Sequence, residues 1–382
     1  MVLCGEPIMI DKPPLRAHIF SNINQELLFK QSPEFSPEID GVHFSSGLDI
    51  PNDIDVLLMY TRASYSVKTS LARNRTIFYA GEPDVIHPYS TRFLNQFGTV
   101  MTTSQKPLAT RKDQGAVCSM PFVGINFADF ENPLPLTYFE GLPCPKKDDR
   151  ISIVTSTKVH TEYHRARLKF ISHLCEKIPD QIVLYGRGHK SVDDKKDALL
   201  DHKYHIALEN GGGPDVWTEK LTDPMLCYAH PFYHGCTNVE TYFPRGSFTH
   251  IDITDPDAAI SKMMRAREQK TWENNRVDLD EGRRRAIHDY NLMRNFARLA
   301  REAIALDEAT EKPNRPWIIR SERSLWPETG ARGSIPEFIL RRVLQLFNPE
   351  IELRFSGIMR HLDERKSVRR ALKHAQIEAE RH

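Results

Sequence analysis

Short apolar runs separated by turn-forming residues fill the first third of the chain. Val42–Phe44, Asp55–Tyr60, Thr76–Ala80 and Thr99–Thr102 are rich in β-branched and aromatic residues and too short for helices, so they read as strands. Polar or mixed stretches between them, Ala63–Arg73 among them, read as helices. That alternation predicts a parallel sheet with helices on its faces. Four prolines then crowd together, Pro133, Pro135, Pro143 and Pro145. Proline removes amide donors and favours extended backbone, so this stretch reads as a linker between domains.

A second alternation follows. Ile151–Thr155 reads as a buried strand, and Tyr163–Ile178 as a helix with Arg167, Phe170, Ile171, Leu174 and Ile178 on one face. Gln181–Tyr185, closed by Gly186, is the next strand. His205–Leu208 is another, running into the glycine-rich turn Glu209–Gly213. Pro214–Ala229 reads as loop then helix, Pro231–Tyr233 and Thr249–Ile253 as strands, and Pro256–Arg265 as a helix. From Thr271 onward the pattern is helical and charged. Three regions follow: residues 1–145, residues 146–310 and a helical extension over 311–382. Two open α/β halves joined by a linker predict a ligand cleft between them.

Composition narrows the classes. A chain of 382 residues exceeds one ordinary core, which supports two domains. Fifty-two basic against fifty-one acidic residues exclude a bulk nucleic-acid binder, so any anionic ligand must be met by a local constellation. The six cysteines form no C-x-x-C pair, which argues against a metal knuckle and fits a reducing cytosol. The first residues, MVLCGEPIMIDKPPL, lack the basic start and apolar run of a signal peptide, and no stretch approaches the roughly 20 apolar residues of a membrane span. A cytoplasmic protein, soluble or peripheral to a membrane, is expected. The tail Glu337–Lys373 joins an apolar run to the cluster Arg365–Lys373, with five basic residues and no acid. Two readings stand: a basic helix lying on an anionic membrane, or an apolar run packed on the first domain with a solvated basic face.

The densest chemical signal is Tyr204–Cys236. A strand delivers Glu209 and Asn210 to the carboxyl edge of a sheet, where open α/β sheets bind ligands. Three glycines let the backbone turn and approach a ligand. Asp215 and Thr218 are candidate helix caps, and exposed amides at a helix start favour an anion. Glu219 suits ribose hydroxyls and Lys220 a diphosphate. On these residues alone, a plain turn followed by a solvated helix start serves equally well.

The segment nevertheless resembles family 10 of the glycosyltransferases, the α-1,3/1,4-fucosyltransferases, whose pattern runs E-N, a short loop, P-D-Y-x-T-E-K, then P-x-x-x-G. Glu209, Asn210, Pro214, Asp215, Thr218, Glu219, Lys220, Pro231 and Gly235 match at that spacing. Upstream, Arg167 opens R-L-K-F, similar to the family's R-x-x-F/Y, and Val183–Gly188, holding Tyr185 and Gly186, is similar to V-x-Y-G-R. The resemblance implies a GT-B fold, two facing Rossmann-like domains. The first binds the acceptor, and the second binds GDP-fucose through Arg167, Tyr185, Gly186, Glu209, Asn210, Thr218, Glu219 and Lys220. Val216 departs from the family's tyrosine, and Trp217 from its aliphatic residue. Val216 keeps a second nucleotide sugar open as the donor. Trp217 is expected to pack rather than to stack on a base.

In the first half, Phe78–Pro83 resembles the family's Y-x-G-E element, which makes Glu82 the candidate general base, with Asp84 as fallback. The implied chemistry is a single inverting displacement. Glu82 takes a proton from a glycan hydroxyl, that oxygen attacks the anomeric carbon, and GDP leaves against Lys220 and Arg167. No metal is required, although a divalent ion could stimulate turnover. A D-x-D at Asp255 to Asp257 sits at a helix start where capping accounts for it, and His205, His230 and His234 lack ligand spacing. A catalytically silent nucleotide- or carbohydrate-binding protein is the competing class, and it leaves Glu82 without a purpose.

Overall fold

The computed structural model describes residues 14–379 apart from 24, 62–63, 114–124, 126–133, 156–161, 187–188, 308–314, 326–334, 336–338, 341, 345–347 and 349. Pro133, Arg187, Cys4, Cys118 and part of the apolar run in the tail therefore lie outside the described residues. The first half is built on β1 (Leu15–Phe20), β2 (Glu38–Ile39), β3 (Val42–Gly47), β4 (Val56–Thr61), β5 (Val67–Thr69), β6 (Thr76–Ala80), β7 (Thr99–Met101) and β8 (Arg111–Asp113). All but β5 form one sheet in the order β2-β3-β1-β4-β6-β7-β8, parallel except for β2 at its edge. β4 and β6 are apolar apart from the terminal Thr61 and Thr76 and are buried on both faces, as strands covered by helices on each side must be. β1 escapes a reading by apolar runs because Arg16 and His18 interrupt it. Inside the sheet the His18 ring meets Ser45 Oγ at 2.8 Å and Gly47 O at 3.2 Å, and burial lowers its pKa.

The second half carries β9 (Asp148–Val154), β10 (Ile182–Tyr185), β11 (His202–Gly213), β12 (His230–Cys236) and β13 (Thr249–His250). They form a wholly parallel sheet in the order β10-β9-β11-β12-β13. The helix α1 (Glu162–Lys177) follows β9, and α2 (Glu219–Leu226) follows β11. The strand order reverses between β9 and β11, and a crevice opens at the carboxyl ends of strands where such a reversal occurs. The proline-rich stretch is only partly extended. Leu136–Gly141 is a short helix whose Leu136 and Phe139 are buried in the core of the second half.

The chain then returns to its first half. Helix α3 (Leu292–Asp307), inside the region assigned by sequence to the second domain, buries Leu292, Met293, Phe296 and Ala300 in the first core. Phe296 stands edge-on to Tyr60 and Tyr79 at ring-centroid distances of 5.3 and 5.1 Å. Next, β14 (Trp317–Ile319) pairs antiparallel with β5. That pairing corrects the helix expected over Ala63–Arg73. Val67 and Thr69 point inward and Lys68 outward, so the alternation has the period of a strand, and a distant segment supplies its partner. The last helix, α4 (Ile351–Ala379), docks its first turns on the same half. Ser66 N donates to Ser356 Oγ at 2.8 Å, Ser66 Oγ to Glu352 at 2.9 Å, and Arg360 pairs with Asp49 at 2.7 Å. Among the described residues no helix is long and apolar enough to cross a membrane, and Cys144, Cys175, Cys227 and Cys236 are free thiols.

Candidate active site

At the reversal point, the ends of β9 and β11 and the inner face of α1 enclose a cavity of about 530 Å³. Arg167, on the face of α1 that packs on the sheet, projects into it together with Asn210, Glu219 and Lys220. Arg167 is only 9% exposed, and no described carboxylate pairs with it. One guanidinium nitrogen donates to Asn210 Oδ1 at 3.2 Å, its Nε is buried with no partner, and burial lowers its pKa. A buried cation left in this state costs free energy unless an anion meets it.

The start of α2 is organised from β11. Glu209 and Asn210 stay within that strand, and so do the glycines, which corrects the turn expected at Glu209–Gly213; the register against β12 shifts between Leu208 and Gly213. The chain bends just afterwards, at Gly213 with φ +134° and Asp215 with φ +64°. Glu209, buried at 1% exposure, accepts from Thr218 N at 2.8 Å and Thr218 Oγ1 at 2.7 Å. Burial raises its pKa, against the pull of Lys220. Its carboxylate is thus committed to holding Thr218. Thr218 in turn caps α2, accepting from Lys220 N at 3.3 Å. Asp215 is not a cap: its Oδ1 accepts from Asn238 Nδ2 at 2.8 Å and Tyr242 OH at 2.5 Å. Glu219 and Lys220 pair at 2.9 Å. Burial acts most strongly on Glu219 and would raise its pKa, but Lys220, Lys195 and the bond from Thr218 together bring the net shift downward. Burial likewise opposes charge on Lys220, and Glu219 and Glu209 more than restore it.

Tyr185 and Gly186 stand apart from this group. Tyr185 is buried with its hydroxyl on His202 Nε2 at 2.8 Å, and Gly186 N donates to Lys190 O at 3.0 Å, so both brace β10 beside the cavity. Sequence reasoning missed Lys195, which lines the same cavity and donates to the buried Asp223 of α2 at 2.8 Å. The available signal was Asp194, which caps the helix Lys195–Leu200 by accepting from Lys196 N at 2.8 Å.

Across the cleft, β6 ends in Gly81 and Glu82. A second cavity of about 350 Å³ is lined by Glu82, Pro83 and Ile86 from the first half and by Asn210, Val216 and Lys220 from the second. Glu82 and Lys220 therefore face one space, with the carboxyl edges of the two sheets opposed as in a GT-B fold. Asp84, the fallback base, is engaged elsewhere. Its amide donates to Thr103 Oγ1 at 2.9 Å, its carboxylate accepts from Tyr89 N at 3.3 Å, and Lys106 lies 3.7 Å away.

Trp217 packs against Tyr242, Phe243 and Tyr290 and does not line either cavity. Asp255 caps the helix Pro256–Glu268 through Ala258 N at 3.1 Å, and Asp257 meets His173 at 2.8 Å. Among the described residues no three His, Cys, Asp or Glu side chains are grouped to hold a metal. His205 meets Ser152 Oγ at 2.8 Å and His234 meets Ile251 O at 3.1 Å. His230 is fully buried on Thr249 Oγ1 at 2.8 Å, and burial pulls its pKa down to about 3. Folded His230 therefore stays neutral where the unfolded chain protonates. Stability should be unaffected by this group above pH 6.5 and should fall as pH drops from there towards 3, by up to about 1.4 kcal/mol per pH unit. His230→Asn should flatten that slope in urea unfolding followed between about pH 7 and 4; an unaltered slope would assign the acid sensitivity to other groups.

Residues 144–271 match the family described as glycosyltransferase family 10 (fucosyltransferase), C-terminal part. Over 85 residues the chain is 32% identical to a fucosyltransferase-like protein of Arabidopsis thaliana, covering 21% of this chain and 17% of that one. Over 92 residues it is 32% identical to the 4-galactosyl-N-acetylglucosaminide 3-alpha-L-fucosyltransferase FUT6 of Gorilla gorilla gorilla, covering 23% of this chain and 25% of that one. The matches thus span only 17% and 25% of those relatives' lengths. A crystal structure of an alpha1,3-fucosyltransferase with GDP-fucose aligns over 72% of this chain and 84% of its own, at 15% identity and a TM-score of 0.44. Because the family match begins just before β9 and runs past the helix Pro256–Glu268, it takes in the whole five-stranded sheet with its cavity, and over this domain the chain is similar to glycosyltransferase family 10.

Proposed function

We propose that this protein transfers fucose from GDP-fucose to a hydroxyl group of a glycan, in a single displacement that inverts the anomeric centre. The observation that carries the reading is Arg167, a buried guanidinium with an unpartnered Nε in a cavity it shares with Lys220. A nucleoside diphosphate supplies the missing anion. Glu82 faces the adjoining cavity with Lys220 on its far side. In the reaction Glu82 accepts the proton of the acceptor hydroxyl as that oxygen bonds to the anomeric carbon. The bond from that carbon to the β-phosphate oxygen breaks, and GDP departs with the electron pair. Arg167 and Lys220 stabilise the charge that collects on the diphosphate. Asn210 holds Arg167 in place, and Glu209 does the same for the capped start of α2 through Thr218.

The family match over residues 144–271 and the local similarity to fucosyltransferases support the sugar. Another nucleotide sugar remains the second reading, favoured only by Val216 lining the reaction cavity where the family pattern has tyrosine. Turnover on this account needs no metal, so the assays belong in EDTA. Calorimetric titration should find GDP bound in preference to UDP and ADP. Arg167→Ala should weaken GDP binding tenfold or more, about 1.5–3 kcal/mol for a charge-assisted contact. Tight UDP binding with no response to GDP would overturn the donor. Glu82→Gln should lower kcat by about 10²–10⁴ while the donor KM barely moves; near-full turnover would mean that another group takes the proton.

The extension suggests where the protein works. On α4, Ile358 and Leu362 are exposed one turn apart, ahead of the basic run that begins at Arg365. The reading is peripheral contact with an anionic bilayer, from the cytoplasmic side. Co-sedimentation with phosphatidylserine vesicles should be strong at low salt and lost at high salt. Equal partition with neutral vesicles would count against it.

A further inference from the structure

The reaction cavity sets aliphatic side chains among charged and polar ones. Glu82, Glu209, Asn210, Thr218, Glu219 and Lys220 supply the polar lining, while Val216 and Ile86 are its aliphatic side chains beside Pro83. Val216 belongs to the second half and stands two residues before the cap Thr218. Ile86 belongs to the first half and lies on the loop that carries Glu82. Ile86 is 44% exposed and its neighbour Val85 60%, although the rest of their loop is tied down through Asp84, His87 and Tyr89. Aliphatic side chains left open on an anchored loop, facing a ligand cavity, gain their burial when the ligand arrives.

The backbone opposite keeps this patch open. A Cβ on Gly211 would lie 3.2 Å from Val85 Cγ2 and 3.6 Å from Ile86 Cδ1, so any side chain there would cover the two residues. Val216 has the same effect from the other side, since a tyrosine at that position would add a ring and a hydroxyl to the space. The wall that remains suits an apolar group of about methyl size. A sugar hydroxyl placed there would lose water and find no partner on these side chains.

We propose that Val216 and Ile86 together seat the C5 methyl group of a 6-deoxyhexose donor and so select it over sugars that lack the methyl or carry a hydroxyl in its place. The proposal rests on the donor reading given above and deepens it, by assigning the choice of sugar to two residues on opposite sides of the cleft. It also gives Val216, the position that departs from the family pattern, a role of its own.

The test compares two donors that differ only at this group: GDP-fucose, and GDP-D-arabinose, whose ring is that of L-fucose without the C5 methyl. Donor hydrolysis without acceptor is followed for the unmodified protein and for Val216→Ser and Ile86→Ser, with GDP titration of each to confirm that the site is folded. One methyl in an apolar pocket is worth about 10- to 200-fold in kcat/KM, so the unmodified protein should prefer GDP-fucose by a factor in that range. In each variant the ratio should collapse towards one. Equal use of both donors by the unmodified protein overturns the proposal while leaving the donor reading intact, and so does a preference that neither variant changes. Failure of the unmodified protein to bind GDP removes the donor reading and this proposal with it.

Discussion

A guanidinium buried without a counter-charge is the constraint around which this site is arranged. Most buried cations in folded proteins sit on a carboxylate, because the cost of desolvation is otherwise unopposed. Arg167 has Asn210 instead, and a neutral amide orients it without neutralising it. The sequence offers carboxylates close by, in Glu209 and Glu219, but both are engaged elsewhere. Glu209 accepts from Thr218, and Glu219 pairs with Lys220. Each of those bonds also keeps a carboxylate from collapsing onto Arg167. The domain carries the cost of an open cation, and only an anionic ligand repays it.

The two halves are less separate than a linker between domains implies. Helix α3 follows the second sheet in sequence yet completes the first core, and β14 then pairs with β5 in the first half. That return segment reaches the loop that carries Glu82. Glu322, just after β14, meets His87 at 2.6 Å with both side chains buried. Tyr89 OH donates to Thr61 O at 2.8 Å, and its ring lies edge-on to Phe78. The loop from Glu82 to Tyr89 is thus gripped by β4, β6 and the returning chain. The base proposed at Glu82 would have to hold its place within a fraction of an ångström, and this loop has the anchoring for it.

Sequence made legible whatever depends on local pattern. β6 and α1 were readable because their burial follows continuous apolar runs or helical spacing. Arg167, Asn210, Glu219 and Lys220 were readable because their spacing resembles a known family, and the fold brings them into one cavity. What stayed hidden depends on partners far away in the chain. β1 reads as polar until Ser45 and Gly47 take up the His18 ring. β5 has no strand identity without Trp317–Ile319 beside it. Asp215 looks like a helix cap until Asn238 and Tyr242 claim its carboxylate. Glu209 lines the second cavity, but spacing cannot say that its carboxylate turns to Thr218. Nor can it tell that α3 belongs to the first core, since a helix face shows only that it is apolar and not against what it packs.

Arg167 and Lys220 then differ in a way that suits a transfer reaction. The charge on Lys220 is balanced within the protein by Glu219 and is reinforced by Glu209, so it persists whether or not a ligand is present. The charge on Arg167 is unbalanced until the ligand arrives. In the proposed reaction Arg167 would therefore contribute most to holding a diphosphate that is already charged in the ground state. Lys220, whose field on the ligand would be partly cancelled by Glu219, would bind that ground state more weakly. As negative charge grows on the departing oxygen, the ammonium can shift its hydrogen bonding from Glu219 towards it. An interaction that strengthens only as the bond breaks lowers the barrier without deepening the bound state. A site built from two unpaired cations would grip the product diphosphate as tightly as the donor and slow its release. Pairing one of them keeps electrostatic help for the bond-breaking step while letting the nucleotide go.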